Sequence, residues 1–237
     1  DQVVLATKVS KRLAGGAVRD SVEGSLRRLG TDWIDLLQAH SWDAETPLDE
    51  TLDAFDRLVR EGKVRYVGCS NWESSQIRRS LTIQESHGWA RLTSVQPMYN
   101  LVDRSIEHDL LALCAERQIG VITYSPLGAG FLTGKYRPGG AVPEGTRFDV
   151  IRGHQDIYFT ERGYRVVEEL RRISAESGHS MVRLALGWVL RRDGITSVLI
   201  GARHAGHVDQ AFEAEKWAPD DTARHWLDRR TAPPRQA

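Results

Sequence analysis

VRDSVEGSLRRLGTDWIDLLQAH, residues 18–40, contains one complete structural cycle. Val18, Val22, Leu26 and Leu29 recur at helical spacing, and Gly30 stands where a helix ends in a left-handed turn. A helix over Ala17–Leu29 is therefore predicted, followed by an apolar strand over Trp33–Ala39. Runs of the same character lie at Val3–Val9, Val64–Cys69, Leu92–Val95 and Ile119–Tyr124, so the five strand signals begin at residues 3, 33, 64, 92 and 119. Each gap holds a helix pattern. A parallel strand needs such a crossover to return the chain to the same sheet end, so this is the rhythm of βα units. A sixth signal is Ser197–Ile200. The expected fold class is α/β, a (β/α)8 TIM barrel. Eight units take ~250 residues, and about six are expected here, with the first two strands lying before Asp1.

Working outward, the second predicted helix has Thr46 as cap, Pro47 in its first turn, and a buried face of Leu48, Leu52, Phe55, Leu58 and Val59 ending at Gly62. Further helices are expected near Ser75–Glu85, Ile106–Arg117, Thr160–Glu176, Ser180–Arg192, His204–Glu215 and Asp220–Arg229. Between Ser125 and Phe159, seven glycines and three prolines break the pattern and predict a long loop. One barrel domain is expected over residues 1–237, with 225–237 as a flexible tail.

Composition excludes several classes. Lys+Arg and Asp+Glu balance at 32 each, against a charge-driven nucleic-acid or membrane-surface role. No apolar run approaches the ~20 residues of a membrane span. Two cysteines, Cys69 and Cys114, are too few for a disulfide framework and suit a cytoplasmic setting, with Cys69 expected as a small buried hydrophobe. His87, His108, His154, His179, His204 and His225 show no metal-ligand spacing and are expected to be solvated, so no metal site is predicted.

Polar residues sit at or just after the ends of the strand signals: Lys8, His40, Ser70, Asn71 and Gln96. In α/β barrels that rim carries the chemistry. A partly desolvated strand-end lysine can lower the pKa of a neighbouring phenol, and a strand-end histidine can orient a carbonyl by hydrogen bonding.

These residues lie in motifs that resemble the aldo-keto reductases over nearly the whole chain. The motifs are VVLATK at Val3–Lys8, SLRRLGTDWIDLLQAH at Ser25–His40, EGKVRYVGCSNW at Glu61–Trp72 and VQPMYN at Val95–Asn100. YSPLGAGFLTGKY at Tyr124–Tyr136 and VLIGAR at Val198–Arg203 complete the series. The long loop after Tyr136 is similar to the branch containing potassium-channel β-subunits and general-stress reductases. The resemblance implies hydride transfer between NADP(H) and a small-molecule aldehyde or ketone. It makes Lys8 and His40 catalytic, and gives Ser70, Asn71 and Gln96 to the nicotinamide carboxamide. Tyr124 would stack on the nicotinamide, while Ser125, Pro126, Leu127 and Gly130 follow the pyrophosphate with Lys135 and Arg147. Gly201, Ala202 and Arg203 would take the 2′-phosphate, with His207 and Gln210 at the adenine end. Trp42 and Trp72 would line the carbonyl pocket.

Two departures qualify that implication. The family's catalytic aspartate and tyrosine belong to the second strand region, which is not among these motifs, and none of the six tyrosines here sits in an Asp-x-x-x-x-Tyr setting. His207, Gln210 and Ala211 stand where the family usually has Gln, Glu and Asn, which predicts a weaker adenine contact. A non-catalytic NADP-binding subunit, or an inactive remnant, is therefore the alternative. A doubly wound nucleotide fold is disfavoured, because Gly128, Gly130 and Gly134 are spaced G-x-G-x-x-x-G and lead into a loop rather than a helix.

Overall fold

The computed structural model describes residues 3–216 and 221–232. The strands are β1 (Ala6–Val9), β2 (Ile34–Ala39), β3 (Val64–Ser70), β4 (Leu92–Gln96), β5 (Gly120–Thr123) and β6 (Ser197–Val198). They form one sheet in the order β1-β2-β3-β4-β5-β6. The pairs from β1 through β5 are parallel. Sequential order with helical crossovers is the topology of a partial (β/α)8 barrel, as the repeat spacing predicted.

The helices are α1 (Gly15–Leu29), α2 (Leu48–Arg60), α3 (Ser74–His87), α4 (Leu110–Arg117), α5 (Arg147–Val150), α6 (Gln155–Tyr158), α7 (Glu161–Ser177), α8 (Met181–Leu190), α9 (Ala205–Lys216) and α10 (Asp221–Arg230). The chain divides into two compact units. The first holds residues 1–97 and 108–122, the second residues 98–107 and 123–237.

The first unit is built by regular periodicity. Val18, Val22 and Leu26 bury one face of α1, and Gly30 closes it at φ 65° with its N–H on the Leu26 carbonyl. Leu48, Leu52, Phe55 and Leu58 bury the face of α2, each such side chain contributing ~1.5–3 kcal/mol. Thr46 is not the cap of α2. Pro47 takes that position, and the Thr46 hydroxyl donates instead to Asp43 Oδ2 at 2.6 Å. β3 and β4 approach so closely at Gly68 that an added Cβ would stand 2.4 Å from Ser94 Oγ and 2.7 Å from the Ser94 carbonyl oxygen. Cys69 is buried as expected, and burial pushes its thiol far up.

The second unit is built differently. The segment read as a loop folds into a 3-10 turn at Gly128–Thr133, the short helices α5 and α6, and connections between them. Phe131 is its hub, with ring centroids 5.8 Å from Tyr158, 5.6 Å from Phe159 and 5.3 Å from Tyr164. Thr160 caps α7 and Ser180 caps α8 through their side-chain oxygens. Residues 225–232, expected in a flexible tail, belong mostly to α10, with Leu227 and Thr231 fully buried. They are held by Trp188 Nε1 donating to Asp228 Oδ1 at 2.8 Å and by Arg162 donating to the Thr231 and Ala232 carbonyls. Apolar Leu227 and the half-buried Arg162 supply anchors that a count of terminal charges does not reveal. Residues 233–237 of that stretch lie outside the described residues.

Candidate functional site

In the first unit the parallel register brings the predicted strand-end residues to one rim. Lys8 of β1 is level with Gln38 of β2, and Ser70 of β3 is level with Gln96 of β4. Lys8 is half-buried, and burial lowers its ammonium pKa. His40 is pinned just beyond β2, with its N–H on the Val9 carbonyl at 2.9 Å and its Nδ1 2.8 Å from Ser10 Oγ.

Asn71 adopts a left-handed φ of 57° directly after β3. This turn lets its backbone N–H reach the Gln96 carbonyl at 3.3 Å, while its Nδ2 donates to the His40 carbonyl at 3.1 Å. Ser70 Oγ donates to the same Gln96 carbonyl at 2.7 Å. Three strand ends are therefore tied together by side chains on the rim. Trp42 and Trp72 meet edge to face with centroids 5.0 Å apart. Trp72 is buried, and its Nε1 has no hydrogen-bond partner among the described residues.

The second unit holds a cavity of about 540 Å³, within the ~300–1,000 Å³ range of small-molecule sites. Every cofactor residue expected in this unit lines it. Tyr124, Ser125, Pro126, Leu127, Gly130 and Lys135 come from the segment after β5. Arg147 comes from α5, and Gly201, Ala202, Arg203, His207 and Gln210 from the β6–α9 turn and α9. Left-handed conformations at Ser125, Gly128, Ala129, Gly130 and Gly134 coil the first segment tightly. Gly128 must be bare, because a Cβ there would stand 2.8 Å from the Tyr158 ring. Lys135 lies over Gly130, its Nζ 3.4 Å from where a Cβ would be.

The lining holds Lys135, Arg147 and Arg203 and no Asp or Glu among the described residues. Arg203 is held from two sides, its guanidinium donating to the Gly145 carbonyl at 2.9 Å and its backbone N–H to His207 Nδ1 at 3.3 Å. That bond places a neutral His207's proton on Nε2. Burial first, then His204, Arg203 and Lys135, push His207 below the ordinary histidine range. Burial, then Asp103, pushes the Tyr124 phenol up.

Several residues at these sites escaped the sequence reading. His154, expected to be solvated, lines the cavity, as do Thr133, Val182, Leu186, Leu199 and Ile200. His204 is exposed, as expected, and its ring lies tilted at 45° to that of His207 with centroids 3.8 Å apart. In the first unit Gln38 was passed over, although a lone amide inside the apolar run DLLQAH is itself a signal, since a buried polar group must find a partner. No group of His, Cys, Asp and Glu among the described residues could hold a metal ion. No described helix is long and apolar enough to cross a membrane.

Known proteins are similar to this chain in sequence. The chain is 31% identical over 229 residues to the L-glyceraldehyde 3-phosphate reductase of Escherichia coli K12, covering 90% of this chain and 65% of that protein. It is 30% identical over 224 residues to a probable voltage-gated potassium channel subunit beta of Oryza sativa subsp. japonica, covering 90% and 68%. It is 32% identical over 228 residues to an uncharacterized oxidoreductase of Bacillus subtilis, covering 90% and 67%. The chain thus spans about two thirds of the length of these relatives. A model of the aldo/keto reductase family matches residues 1–224. With the βα repeat, the strand-end rim and the family match in agreement, the chain belongs to the aldo/keto reductase family.

Proposed function

We propose that this protein works as an NADP(H)-dependent oxidoreductase acting on a small aldehyde or ketone. The observation that carries the reading is the cavity of the second unit, lined by Lys135, Arg147 and Arg203 with no Asp or Glu among the described residues. Such a site suits a polyanion, because charge-assisted hydrogen bonds to phosphate are the strong ones. The glycines pressed against Tyr158 and Lys135 leave room for a backbone-lined phosphate path. When bound, NADPH supplies the hydride.

In the second unit, Ser125, Pro126, Leu127, Gly130, Lys135 and Arg147 would follow the pyrophosphate, with Tyr124 against the nicotinamide. Gly201, Ala202 and Arg203 would take the 2′-phosphate, with His207 and Gln210 beside the adenine. In the first unit, Ser70, Asn71 and Gln96 would hold the carboxamide, Lys8 and His40 would serve the carbonyl chemistry, and Trp42 and Trp72 would shape the carbonyl pocket. The reading includes a cytoplasmic setting, no nucleic-acid or membrane partner, and no metal.

A second reading, an NADP-binding subunit without turnover, is favoured by the tyrosines. A phenolic proton donor needs a lowered pKa, yet burial pushes Tyr99, Tyr124, Tyr158 and Tyr164 up, Tyr158 to about 12. Tyr99 donates to Glu107 at 2.5 Å, and Tyr66 stands out in solvent on β3. None of Tyr99, Tyr124, Tyr158 and Tyr164 has surroundings that would lower its phenol.

Fluorescence titration of the full chain with NADPH tests the shared premise. Lys135→Ala and Arg203→Ala are each expected to weaken binding about ten- to a hundredfold, the ~1.5–3 kcal/mol of a charged hydrogen bond. Unchanged affinity in both variants would sink the cofactor assignment. Consumption of NADPH with glyceraldehyde 3-phosphate, the substrate in the Escherichia coli relative's name, separates the two readings.

A further inference from the structure

We propose that Gln38 is a positioning residue that fixes which end of the Gln96 amide faces the bound ligand, and so makes this rim select an N–H donor. The inference rests on the reading above that Gln96 meets the nicotinamide carboxamide. Gln38 belongs to β2 and is almost fully buried, at 1% exposure. Its side chain reaches across β3 to β4, where Gln96 Nε2 donates to Gln38 Oε1 at 2.9 Å. Passage across β3 is open because the residue level with Gln38 there is Gly68, and an added Cβ would stand 3.4 Å from Gln38 Cγ.

An amide can in principle be turned either way, so something must set its sense. Here the setter is backbone. Gln38 Nε2 donates to the Cys69 carbonyl at 3.5 Å, and a carbonyl oxygen can only accept. Gln38 must therefore turn its Oε1 toward Gln96, and Gln96 must answer with its NH2. The remaining Gln96 atom is Oε1, an acceptor, to which nothing donates among the described residues. The Gln96 backbone carbonyl is separately occupied by Ser70 Oγ and the Asn71 N–H. A fixed main-chain polarity is thus passed through two buried side chains to the rim. The group it selects carries an N–H, as a carboxamide does and a methyl ketone does not.

Binding of NADP+ and of its 3-acetylpyridine analogue tests this. The analogue keeps the carbonyl and replaces the NH2 by a methyl group. The wild-type chain should prefer NADP+ by about tenfold or more, the worth of one buried hydrogen bond whose loss leaves an acceptor unpaired. Gln38→Met fills similar volume without an amide and frees Gln96 to turn. The preference should then shrink about tenfold, because a turned Gln96 can donate to the analogue's carbonyl. Gln38→Glu, which can still accept from Gln96, should keep most of it. A purely structural role would weaken both ligands alike, and an unmoved preference in Gln38→Met overturns the proposal. If neither ligand binds the wild-type chain, the cofactor reading itself falls, and this inference with it.

Discussion

The two compact units hold their polar residues by opposite means. In the first, a parallel ladder sets the positions of Lys8, Gln38, Ser70 and Gln96, and side-chain bonds tie β3 to β4 and reach from β2 to β4. In the second, five left-handed residues and a cluster of aromatic rings shape the path from Tyr124 to Lys135. Regular hydrogen bonding is periodic and forgiving, since the backbone does most of the positioning. Coiled loop geometry depends on single residues, each with one tolerated shape.

Removing the hub would break the comparison most sharply. Phe131→Ala is expected to cost about 3–5 kcal/mol, as for a fully buried aromatic, and to open residues 125–159 to proteolysis. Phe55→Ala, equally buried on α2, should cost a similar amount without new cleavage there. Urea unfolding and limited proteolysis report both, and matching cleavage patterns would erase the distinction.

Two glycines sharpen it further. At Gly163 a Cβ would stand 2.0 Å from the Tyr158 carbonyl oxygen, a backbone atom held against the hub. At Gly68 the Ser94 hydroxyl oxygen at 2.4 Å is a side-chain atom able to move, and the backbone contact, with the Ser94 carbonyl oxygen at 2.7 Å, is longer than the one at Gly163. Each Gly→Ala change should destabilise by about 1–3 kcal/mol, with Gly163→Ala the larger. The reverse order of denaturation midpoints would refute this view of loop rigidity.

The smallest expected effect is acid sensitivity in the first unit. Hydrogen bonds from the Thr46 hydroxyl first, then the Leu13 N–H, pull Asp43 down to about 2, against opposing burial. A carboxyl depressed in the folded state adds stability above its unfolded pKa of ~3.9 and loses it as pH falls through the folded value. Melting temperature should therefore decline between about pH 4 and pH 2, and Asp43→Asn should flatten that part of the profile. An identical slope in the variant would remove Asp43 as the cause.

Legibility followed the same divide. The strands, α1 and α2 were readable from Trp33–Ala39 and its neighbours because a strand or helix repeats its demand on every second or fourth side chain. Strand-end Lys8, His40, Ser70, Asn71 and Gln96 were readable because polar residues ending apolar runs stand out. The family motif at Tyr124–Tyr136 led to the cavity lining in the second unit, but nothing periodic revealed His154 or the Phe131 hub. Thr46 was misplaced by one residue because Asp43, three positions earlier, competes for its hydroxyl.

By itself, the sequence determined the βα order, the placement of polar residues at the strand ends and the family, since these rest on local pattern and motif. Only the tertiary structure decided that Gln38 spans three strands over a bare Gly68, that residues 225–232 pack, and that three cations line one cavity with no acid among its described residues. Each of these joins residues far apart in the chain, and long-range proximity is a property of packing that no local spacing encodes.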